Sequence, residues 1–386
     1  VVMGAVGLGL WATIFLLSFS QGMVESYVDN AIEDQVSHLQ IHSPKFSEDQ
    51  DIHFFIEKSQ DKLAKIKAIA EVEQVTARSL SNGMLSTGRG ARGLQIVGIE
   101  PTNEALVTHL DKKIVVGDYL TVKSKNPCLV GKKLAKKMGI KKRSKVVITF
   151  QNMEGEMVAG SFRVAGLVET NNSRLDDSRV LVRQSDMNKL LGKEGISHEI
   201  AIKLKEGKTM TAVQGRLQKE FPSLKVENYR QISPDIQLYE TQIKSSVMIF
   251  IVVIMLALLF GIVNTMLMSV LERYKELGML MAVGMNKIRV FVMIFIETVI
   301  LTLVAALPGL LLGYWTVIHF GTSGIDMSTF AASLKEFGMS HIVYTALDTE
   351  VYSQLLVSVV VTAIVASIYP AWKAVSLKPV EAIRKV

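Results

Sequence analysis

The chain has 386 residues, 49% of them hydrophobic, and a formal net charge of +7. Its basic residues are dispersed among acidic ones and match no recognised nucleic-acid motif, so composition excludes nucleic acid as an expected partner. The single cysteine, Cys128, excludes an intrachain disulfide framework, and we interpret it as a small buried residue.

Four long apolar runs dominate the chain, at residues 1–19, 247–271, 290–320 and 351–369. Each is near or above the ~20 residues with which a helix crosses a hydrocarbon layer about 30 Å thick. The runs therefore predict four transmembrane helices, arranged one plus three. The second run would reach about 38 Å as a straight helix, so we expect it to tilt or to project from the bilayer as a stalk.

The predicted fold class is an α-helical membrane protein with a large two-lobed α+β domain between its first and second spans. The predicted segments, in chain order, are the first span 1–20, the large domain 21–243 with lobes at about 21–101 and 128–230, the second span and stalk 244–271, a cytoplasmic segment 272–289, the third span 290–320, a short outer loop 321–350, the fourth span 351–370 and a tail 371–386.

The first run is interpreted as a membrane anchor, because it has neither the basic leader nor the cleavage pattern of a signal peptide. The sequence begins inside this run, at Val1, and we expect a native cytoplasmic segment to precede it.

The large domain alternates strand and helix patterns. After a helical extension of the first span come predicted strands at 38–42, 73–81, 84–87 and 94–99 and a predicted helix at 55–69. Asn82-Gly83 is predicted to be a hairpin turn. The second lobe has predicted helices at 131–138, 185–191 and 210–221 and predicted strands at 145–150, 156–168, 179–182, 198–204 and 224–229.

Short loops set the orientation through their lysines and arginines. The 272–289 loop and the C-terminal tail each hold four basic residues, whereas the 321–350 loop holds only Lys335 beside four acidic residues. We therefore place the 272–289 loop and the tail in the cytoplasm and the large domain outside, which is the periplasm in a bacterium with two membranes.

The residues offer no catalytic set, metal site or cofactor site. His38 and His42 lie in a strand-like stretch without the helical carboxylate context of a zinc motif, so a polar strand face is favoured over a metal site. No phosphate-binding loop and no nucleophile elbow occurs in the sequence. We therefore expect no enzyme in this chain.

Glu297 lies seven residues into the third span, and an intramembrane carboxylate is a functional candidate because its burial is costly. The favoured interpretation is structural, with the carboxylate accepting hydrogen bonds from neighbouring hydroxyls near the cytoplasmic boundary. A proton or substrate site is the alternative. Pro308 and Gly309 in the same span indicate a kink or a close helix contact.

The cytoplasmic segment 272–285 is short, amphipathic and punctuated by glycines. Taken alone, the residues fit either a helix lying across the inner membrane face or an ordinary interfacial turn. The segment resembles the E-x-x-x-E-I-G-x-L-R-A-x-G-A signature of ABC-transporter permeases of the FtsX/MacB type. The predicted coupling residues are Glu272, Glu276, Leu277, Gly278, Leu280, Ala282 and Gly284.

The C-terminal tail resembles the closing P-A-x-x-A-x-x-x-x-P-x-E-A-L-R of the same family. The matching residues are Pro370, Ala371, Ala374, Pro379, Glu381, Ala382 and Arg384. Within the family, Gly22, the strand 37–42 and the segment 97–101 look most like the lipoprotein-releasing permeases, LolC and LolE.

This resemblance implies a bacterial inner-membrane dimer of two permease chains, identical or homologous, bound to a cytoplasmic ABC ATPase dimer. ATP and Mg²⁺ would then be bound by the ATPase, with no cofactor in this chain. The 272–285 segment would be the coupling helix, and the large domain would do mechanical work on a lipoprotein client, with lipid and a periplasmic chaperone as further partners.

Two departures from the family pattern stand out. Met281 occupies a position where arginine is usual, and the 150–157 hairpin is short and lacks the proline of the hook that recruits a chaperone in one lipoprotein-releasing permease. The leading function is release of lipoproteins from the inner membrane. The alternatives are MacB-like efflux of small molecules or peptides, and non-transporting mechanotransmission to a periplasmic hydrolase.

Overall fold

The computed structural model describes residues 2–121 and 123–376. Its α-helices are α1 (Val2–Ala31), α2 (Phe46–Asp49), α3 (Ser59–Lys67), α4 (Pro101–Thr108), α5 (Lys132–Met138), α6 (Leu175–Ser178), α7 (Gln184–Leu191), α8 (Met210–Glu220), α9 (Tyr229–Ile232), α10 (Pro234–Glu272), α11 (Tyr274–Ala282), α12 (Lys287–Ser323), α13 (Ala331–Glu336) and α14 (Thr349–Val375). A π-helical turn, Ile32–Val36, follows α1.

The strands are β1 (Leu39–His42), β2 (Val72–Thr87), β3 (Gly90–Ile99), β4 (Ile114–Gly117), β5 (Pro127–Gly131), β6 (Lys145–Gln151), β7 (Met157–Val168), β8 (Arg179–Arg183), β9 (Glu199–Leu204), β10 (Lys225–Asn228), β11 (Ile325–Asp326) and β12 (Ile342–Val343).

Within the described residues, four helices are long and apolar enough to cross a membrane: α1 with its π-helical turn, α10, α12 and α14. The prediction of four apolar helices with an α+β domain between the first and second is confirmed. α10 has 39 residues. As a straight helix it would measure about 58 Å, nearly twice the thickness of a hydrocarbon layer.

The described chain forms two compact units. The helical unit contains the described residues up to Glu25, then Tyr239–Met327 and the residues from Ile342 onward. The outer unit contains Ser26–Leu238 together with Ser328–His341. Part of the connection between α12 and α14 therefore folds with the outer unit.

Glycines let α1 and α12 approach closely in the helical unit. A Cβ atom added to Gly309 would lie 2.4 Å from the backbone oxygen of Gly7, and one added to Gly313 would lie 2.6 Å from the Ile14 side chain. The G-x-x-x-G spacing of Gly309 and Gly313 is typical of such contacts. Of the two predicted roles for Pro308 and Gly309, the close helix contact is observed, at Gly309, and α12 continues as one helix through Pro308.

The outer unit contains one ten-stranded sheet. Its main path runs β10-β1-β9-β2-β3-β8-β5-β7-β4, and β6 pairs with both β2 and β7. Six strands, β2, β3, β8, β5, β7 and β6, thereby close into a ring. Strands from the two predicted lobes pair with one another in this ring, so the chain segments assigned to the lobes interleave.

The ring encloses an apolar core. Phe150 and Phe162 are 1% exposed, and Cys128 is fully buried among them. Burial raises the pKa of the Cys128 thiol to about 12, so the group stays protonated at neutral pH. Cys128 is a packing residue, as predicted.

The predicted hairpin turn at Asn82-Gly83 is wrong. β2 continues through both residues and pairs with β3 as far as Thr87. A Cβ atom on Gly83 would lie 2.4 Å from the backbone oxygen of Thr149 on β6. The glycine therefore permits the close approach of β6, which is one of the reasons for glycine inside a strand.

Candidate functional site

The cytoplasmic segment between the second and third spans folds as a separate helix. α10 ends at Glu272, α11 follows after one residue, and α12 begins at Lys287. Among the predicted coupling residues, Leu277 and Gly278 are buried, whereas the others are exposed: Glu272, Glu276, Leu280, Ala282 and Gly284. The segment is therefore helical, as one of the two alternatives had it, and the position of the helix across the inner membrane face stays a prediction.

Gly284 ends α11. The amide of Gly284 donates to the carbonyl oxygen of Met281 and the amide of Met285 donates to that of Leu280, the two bonds of a Schellman motif. Gly284 has φ +106°, a conformation that favours glycine. The last glycine of the motif thus fixes where the helix stops, and Asn286 then caps α12 through its bond to the amide of Ile288.

The two cytoplasmic motifs meet in one apolar cluster. Leu277 of α11 is 1% exposed and packs with Val290 of α12 and with Ala371 and Ala374 of α14, both fully buried. Pro370 is also buried. The remaining tail-motif residues lie outside the described residues: Pro379, Glu381, Ala382 and Arg384. Leu277 therefore packs α11 against the cytoplasmic ends of α12 and α14.

Arg273, the residue between α10 and α11, forms ion pairs with α11 and with α12. Its Nη1 atom lies 3.1 Å from Oε1 of Glu297 on α12, and its Nε atom lies 3.1 Å from Oε2 of Glu276 on α11. The partner of the intramembrane carboxylate is thus an arginine, where hydroxyls were expected. Pairing offsets the cost of holding a carboxylate within a span. The pair also links the α10–α11 corner to α12.

α11 and the start of α12 leave large apolar side chains uncovered. Val283 is 89% exposed, Ile288 69%, Met279 56% and Leu280 42%. Met279 and Leu280 belong to α11, Val283 is the residue that follows its last turn, and Ile288 lies in the first turn of α12. Apolar side chains exposed on the cytoplasmic side can be covered by a partner protein.

The outer end of the first span helix is held by a buried arginine. Arg78 on β2 is 6% exposed, and its guanidinium binds the Glu104 carboxylate at 2.8 and 3.0 Å and Glu199 Oε1 at 2.6 Å. It also donates to the carbonyl oxygen of Gln35, at the end of the π-helical turn, at 2.8 Å. Burial alone would lower the pKa of Arg78, but the two carboxylates outweigh it and raise the pKa.

Asp34 ties the same turn to other elements. Its side chain pairs with Lys113 Nζ at 2.7 Å and accepts the amide of Asn171 at 3.2 Å, and its carbonyl oxygen accepts a bond from Arg179 Nη2 at 2.8 Å. Cations at the C-terminal end of a helix are also favoured by the helix dipole. The residues that end the helix are therefore bonded to β2, β8 and the chain after β7. We call this set the helix–domain joint: Asp34, Gln35, Arg78, Glu104, Lys113, Asn171, Arg179 and Glu199.

A cavity of about 410 Å³ adjoins the helix–domain joint. The charges of its lining side chains nearly cancel. Four are acidic and three are basic: Asp34, Glu104, Glu199, Glu227, Arg78, Arg179 and Lys225. The joint is consequently suited to hold backbone elements in place more than to attract an ionic ligand.

The histidines of β1 and its neighbours are used for hydrogen bonds within the sheet. His42 contacts the backbone oxygen of His198 at 3.2 Å and Gln40 Oε1 at 2.9 Å. His38 Nδ1 accepts the amide of Leu204 at 3.3 Å. Each side chain thus has a structural partner in a polar strand face.

The residues of the helix–domain joint were not singled out from the sequence. The signal was weak, because Arg78, Glu104 and Glu199 are separated along the chain and meet only when β2, α4 and β9 come together. The one indication in the sequence was Arg78, a charged residue inside the run 75–81 of apolar and small residues.

Two family models match the chain. The MacB-like periplasmic core domain matches residues 1–220, and the FtsX-like permease C-terminal matches residues 248–379. Among curated proteins, the chain is similar to the lipoprotein-releasing system transmembrane protein LolC of Xylella fastidiosa, at 23% identity over 74% of this chain and 72% of LolC.

Other similar proteins include an uncharacterized ABC transporter permease of Methanocaldococcus jannaschii, at 26% identity over 58% of this chain and 55% of that protein. The macrolide export ATP-binding/permease protein MacB of Campylobacter jejuni matches at 23% identity over 61% of this chain and 36% of MacB. The chain thus spans about half the length of the M. jannaschii permease and about a third of the length of C. jejuni MacB.

Among solved structures, the periplasmic region of MacB from Actinobacillus actinomycetemcomitans is matched at 15% identity, with a TM-score of 0.37, over 52% of this chain and 92% of that one. The family models cover most of the chain and agree with its four apolar helices and with the α+β domain between the first two. These matches also confirm the predicted location, in a membrane with the large domain in the periplasm. The chain belongs to the ABC-transporter permeases of the FtsX/MacB type and is LolC-like in sequence.

Proposed function

We propose that this chain is the permease subunit of an ABC machine in which a separate cytoplasmic ATPase binds ATP and Mg²⁺. The observation that carries the proposal is the uncovered apolar surface at the end of α11, where Val283 is 89% exposed, while Leu277 of the same helix packs against the spans. Docking this surface in a groove of the ATPase would cover it. The predicted coupling residues retain this role as part of the proposal.

In this proposal two permease chains, identical or homologous, act together with an ATPase dimer. Movement of α11 passes into α10 through the corner at Arg273 and into α12 and α14 through the Leu277 cluster. The long helices α1 and α10 carry it outward. At the outer end, the buried bonds of the helix–domain joint connect α1 to the sheet. Rigid helices and packed contacts of this kind can carry coupling between distant sites.

The proposed client is a lipoprotein of the inner membrane. The similarity to LolC supports this client class, because it extends over 74% of this chain, whereas the similarity to C. jejuni MacB extends over 61% of it. The work done on such a client is extraction from the membrane surface, which requires no polar pore between the spans.

Export of a macrolide is the second candidate. It is supported by the 33% identity to MacB of Chlorobaculum tepidum, which is higher than the identity to LolC but extends over 126 residues, 32% of this chain.

The two candidates are separated by reconstitution of the complex with its ATPase in proteoliposomes. One set of vesicles carries a triacylated lipoprotein, and the other is supplied with a macrolide. We expect lipoprotein to leave the vesicles when ATP is added and to stay when ADP is added. ATP-dependent macrolide transport without lipoprotein release would replace the leading proposal by the second.

A further inference from the structure

The connection between α12 and α14 is a folded element. β11 pairs with β12 through Ile325 opposite Val343 and Asp326 opposite Ile342, and α13 lies between the two strands. Ser328–His341 belongs to the outer unit, while the residues on either side belong to the helical unit. The connection thus leaves one unit, folds with the other and returns.

Ion pairs hold α13 against the outer unit. Lys335 Nζ lies 2.9 Å from Glu169 Oε1, and the other oxygen of Glu169 binds Lys132 Nζ at 2.6 Å. Glu336, one residue along α13, pairs with Lys133 on α5. α5 therefore presents two neighbouring lysines to this contact, and α13 presents one cation and one anion.

Glu169 is the centre of this contact. Burial would raise the pKa of its carboxyl, but the hydrogen bonds and charges of Lys132 and Lys335 outweigh burial and lower it. The carboxylate is therefore ionised at neutral pH while it bridges α13 and α5.

Backbone bonds fix the same segment. The amide of Ser173 donates to the carbonyl oxygen of Lys335 at 3.0 Å. The Asn30 side chain donates to the carbonyl oxygen of Gly338 at 3.2 Å, so the segment also contacts the outer end of α1. Gly338 has φ +77°, and a Cβ atom there would lie 3.3 Å from the Tyr27 ring. Backbone and side-chain bonds together make a specific seat for α13.

The chain that returns toward α14 is packed in the helical unit. The amide of Ala346 donates to the carbonyl oxygen of Ser18 at 3.2 Å. A Cβ atom on Gly22 would lie 1.9 Å from the backbone oxygen of Tyr344, so this glycine is needed for the close contact. A larger residue at position 22 would therefore push the returning chain away from α1.

We propose that residues 324–348 form a third mechanical link to the outer unit, in addition to α1 and α10, and that Lys335 and Glu336 are positioning residues that seat the link on Glu169, Lys132 and Lys133. The link connects α12 and α14 to the domain that acts on the client. Its mechanical role rests on the proposed function, whereas the seating of α13 does not.

The test reverses one ion pair and then restores it. Lys133→Glu and Glu336→Lys each place like charges opposite one another, and the double variant re-forms the pair with exchanged signs. The matched control is the exposed pair Lys142–Asp118, at 3.0 Å on the same unit, reversed in the same way. All variants are made in the full chain bound to its ATPase.

Two quantities are measured: amide hydrogen exchange of residues 331–341, and lipoprotein released per ATP hydrolysed. We expect each single reversal to speed exchange about fivefold, the size of effect that an exposed pair can produce, and to lower release per ATP while hydrolysis continues. The double variant should recover both quantities, and the control reversals should change neither.

Release per ATP that is unchanged in both single reversals would overturn the mechanical link. Exchange that is unchanged would overturn the seating of α13 by these ion pairs. If the wild-type complex releases no lipoprotein under ATP, the proposed client fails, and the seating is then decided by the exchange measurement alone.

Discussion

At the scale of single residues, Arg78 is the most consequential charge in the outer unit. It is buried with two carboxylates, Glu104 and Glu199, and with the backbone of the turn that ends the first span helix. A buried ion pair adds little net stability compared with apolar packing, yet removal of one partner leaves uncompensated charge. The position of the turn therefore depends on this one side chain.

We predict that Arg78→Met lowers the stability of the outer unit by about 3–5 kcal/mol, because two buried carboxylates lose their partner. The measurement is thermal or denaturant unfolding of the full chain in detergent. Arg92→Met is the control, since Arg92 pairs with Asp177 at 2.8 Å but is 39% exposed. The control should cost about 1 kcal/mol or less. Equal losses in the two variants would refute the special role of Arg78.

His198 predicts a pH dependence of the outer unit. Its Nδ1 accepts the amide of Leu80 at 3.0 Å and its Nε2 donates to the carbonyl oxygen of Ile52 at 2.9 Å. Burial lowers the pKa of His198, although the bond to Ile52 acts in the opposite direction. A proton therefore binds the unfolded chain more readily than the folded one, and stability falls as the pH drops through the ordinary histidine pKa of about 6.5.

We predict that the apparent melting temperature falls less between about pH 7 and pH 5 in His198→Gln than in the wild type, because glutamine keeps a donor and an acceptor but does not titrate. The comparison is needed because the pKa of Asp176 is raised to about 6, and this group acts in the opposite direction in both proteins. An identical pH dependence in wild type and variant would show that His198 is not the titrating group.

At the scale of elements, the contact of α1 with α12 depends on glycine. Gly309 meets the backbone of Gly7, which cannot move aside as a flexible side chain can. This packing places the anchor helix against the span that carries Glu297. It is the part of the helical unit in which shape matters most.

We predict that Gly309→Leu destabilises the helical unit by about 1–3 kcal/mol, the usual cost of overpacking. Gly261→Leu on α10 is the matched control, because a Cβ atom there meets nothing within 4 Å. Melting of the detergent-solubilised chain measures both. If Gly261→Leu were the more damaging change, the close contact of α1 with α12 would be contradicted.

At the scale of the whole molecule, local patterns and distant contacts differ in how well the sequence predicts them. The four spans followed from apolar runs, since the length needed to cross a bilayer is set by composition within one segment. β6, β7, α7 and α8 begin or end within a residue or two of their predicted bounds, because their apolar periodicity is also local.

The closed ring of strands and the helix–domain joint could not be predicted in the same way. β3 pairs in parallel with β8, and Arg78 meets Glu199, across long stretches of chain. α4, β4 and β5 lie within the stretch 101–131, where short elements carry little periodicity. The coupling segment was assigned as a helix by family resemblance, whereas its residues alone left a turn open.

In the proposed mechanism, movement at α11 reaches the outer unit. The most direct measurement is hydrogen exchange at the helix–domain joint, around Ser37 and Asn171, in the complex with its ATPase, with ADP and with ATP. The comparison is with Val283→Asp, which puts a charge on the uncovered apolar surface without touching the Leu277 cluster. We predict that ATP changes exchange at the joint in the wild type and leaves it unchanged in Val283→Asp, with release lost in that variant. If the wild type releases its client while exchange at the helix–domain joint is the same with ADP and with ATP, movement at α11 does not reach the outer unit.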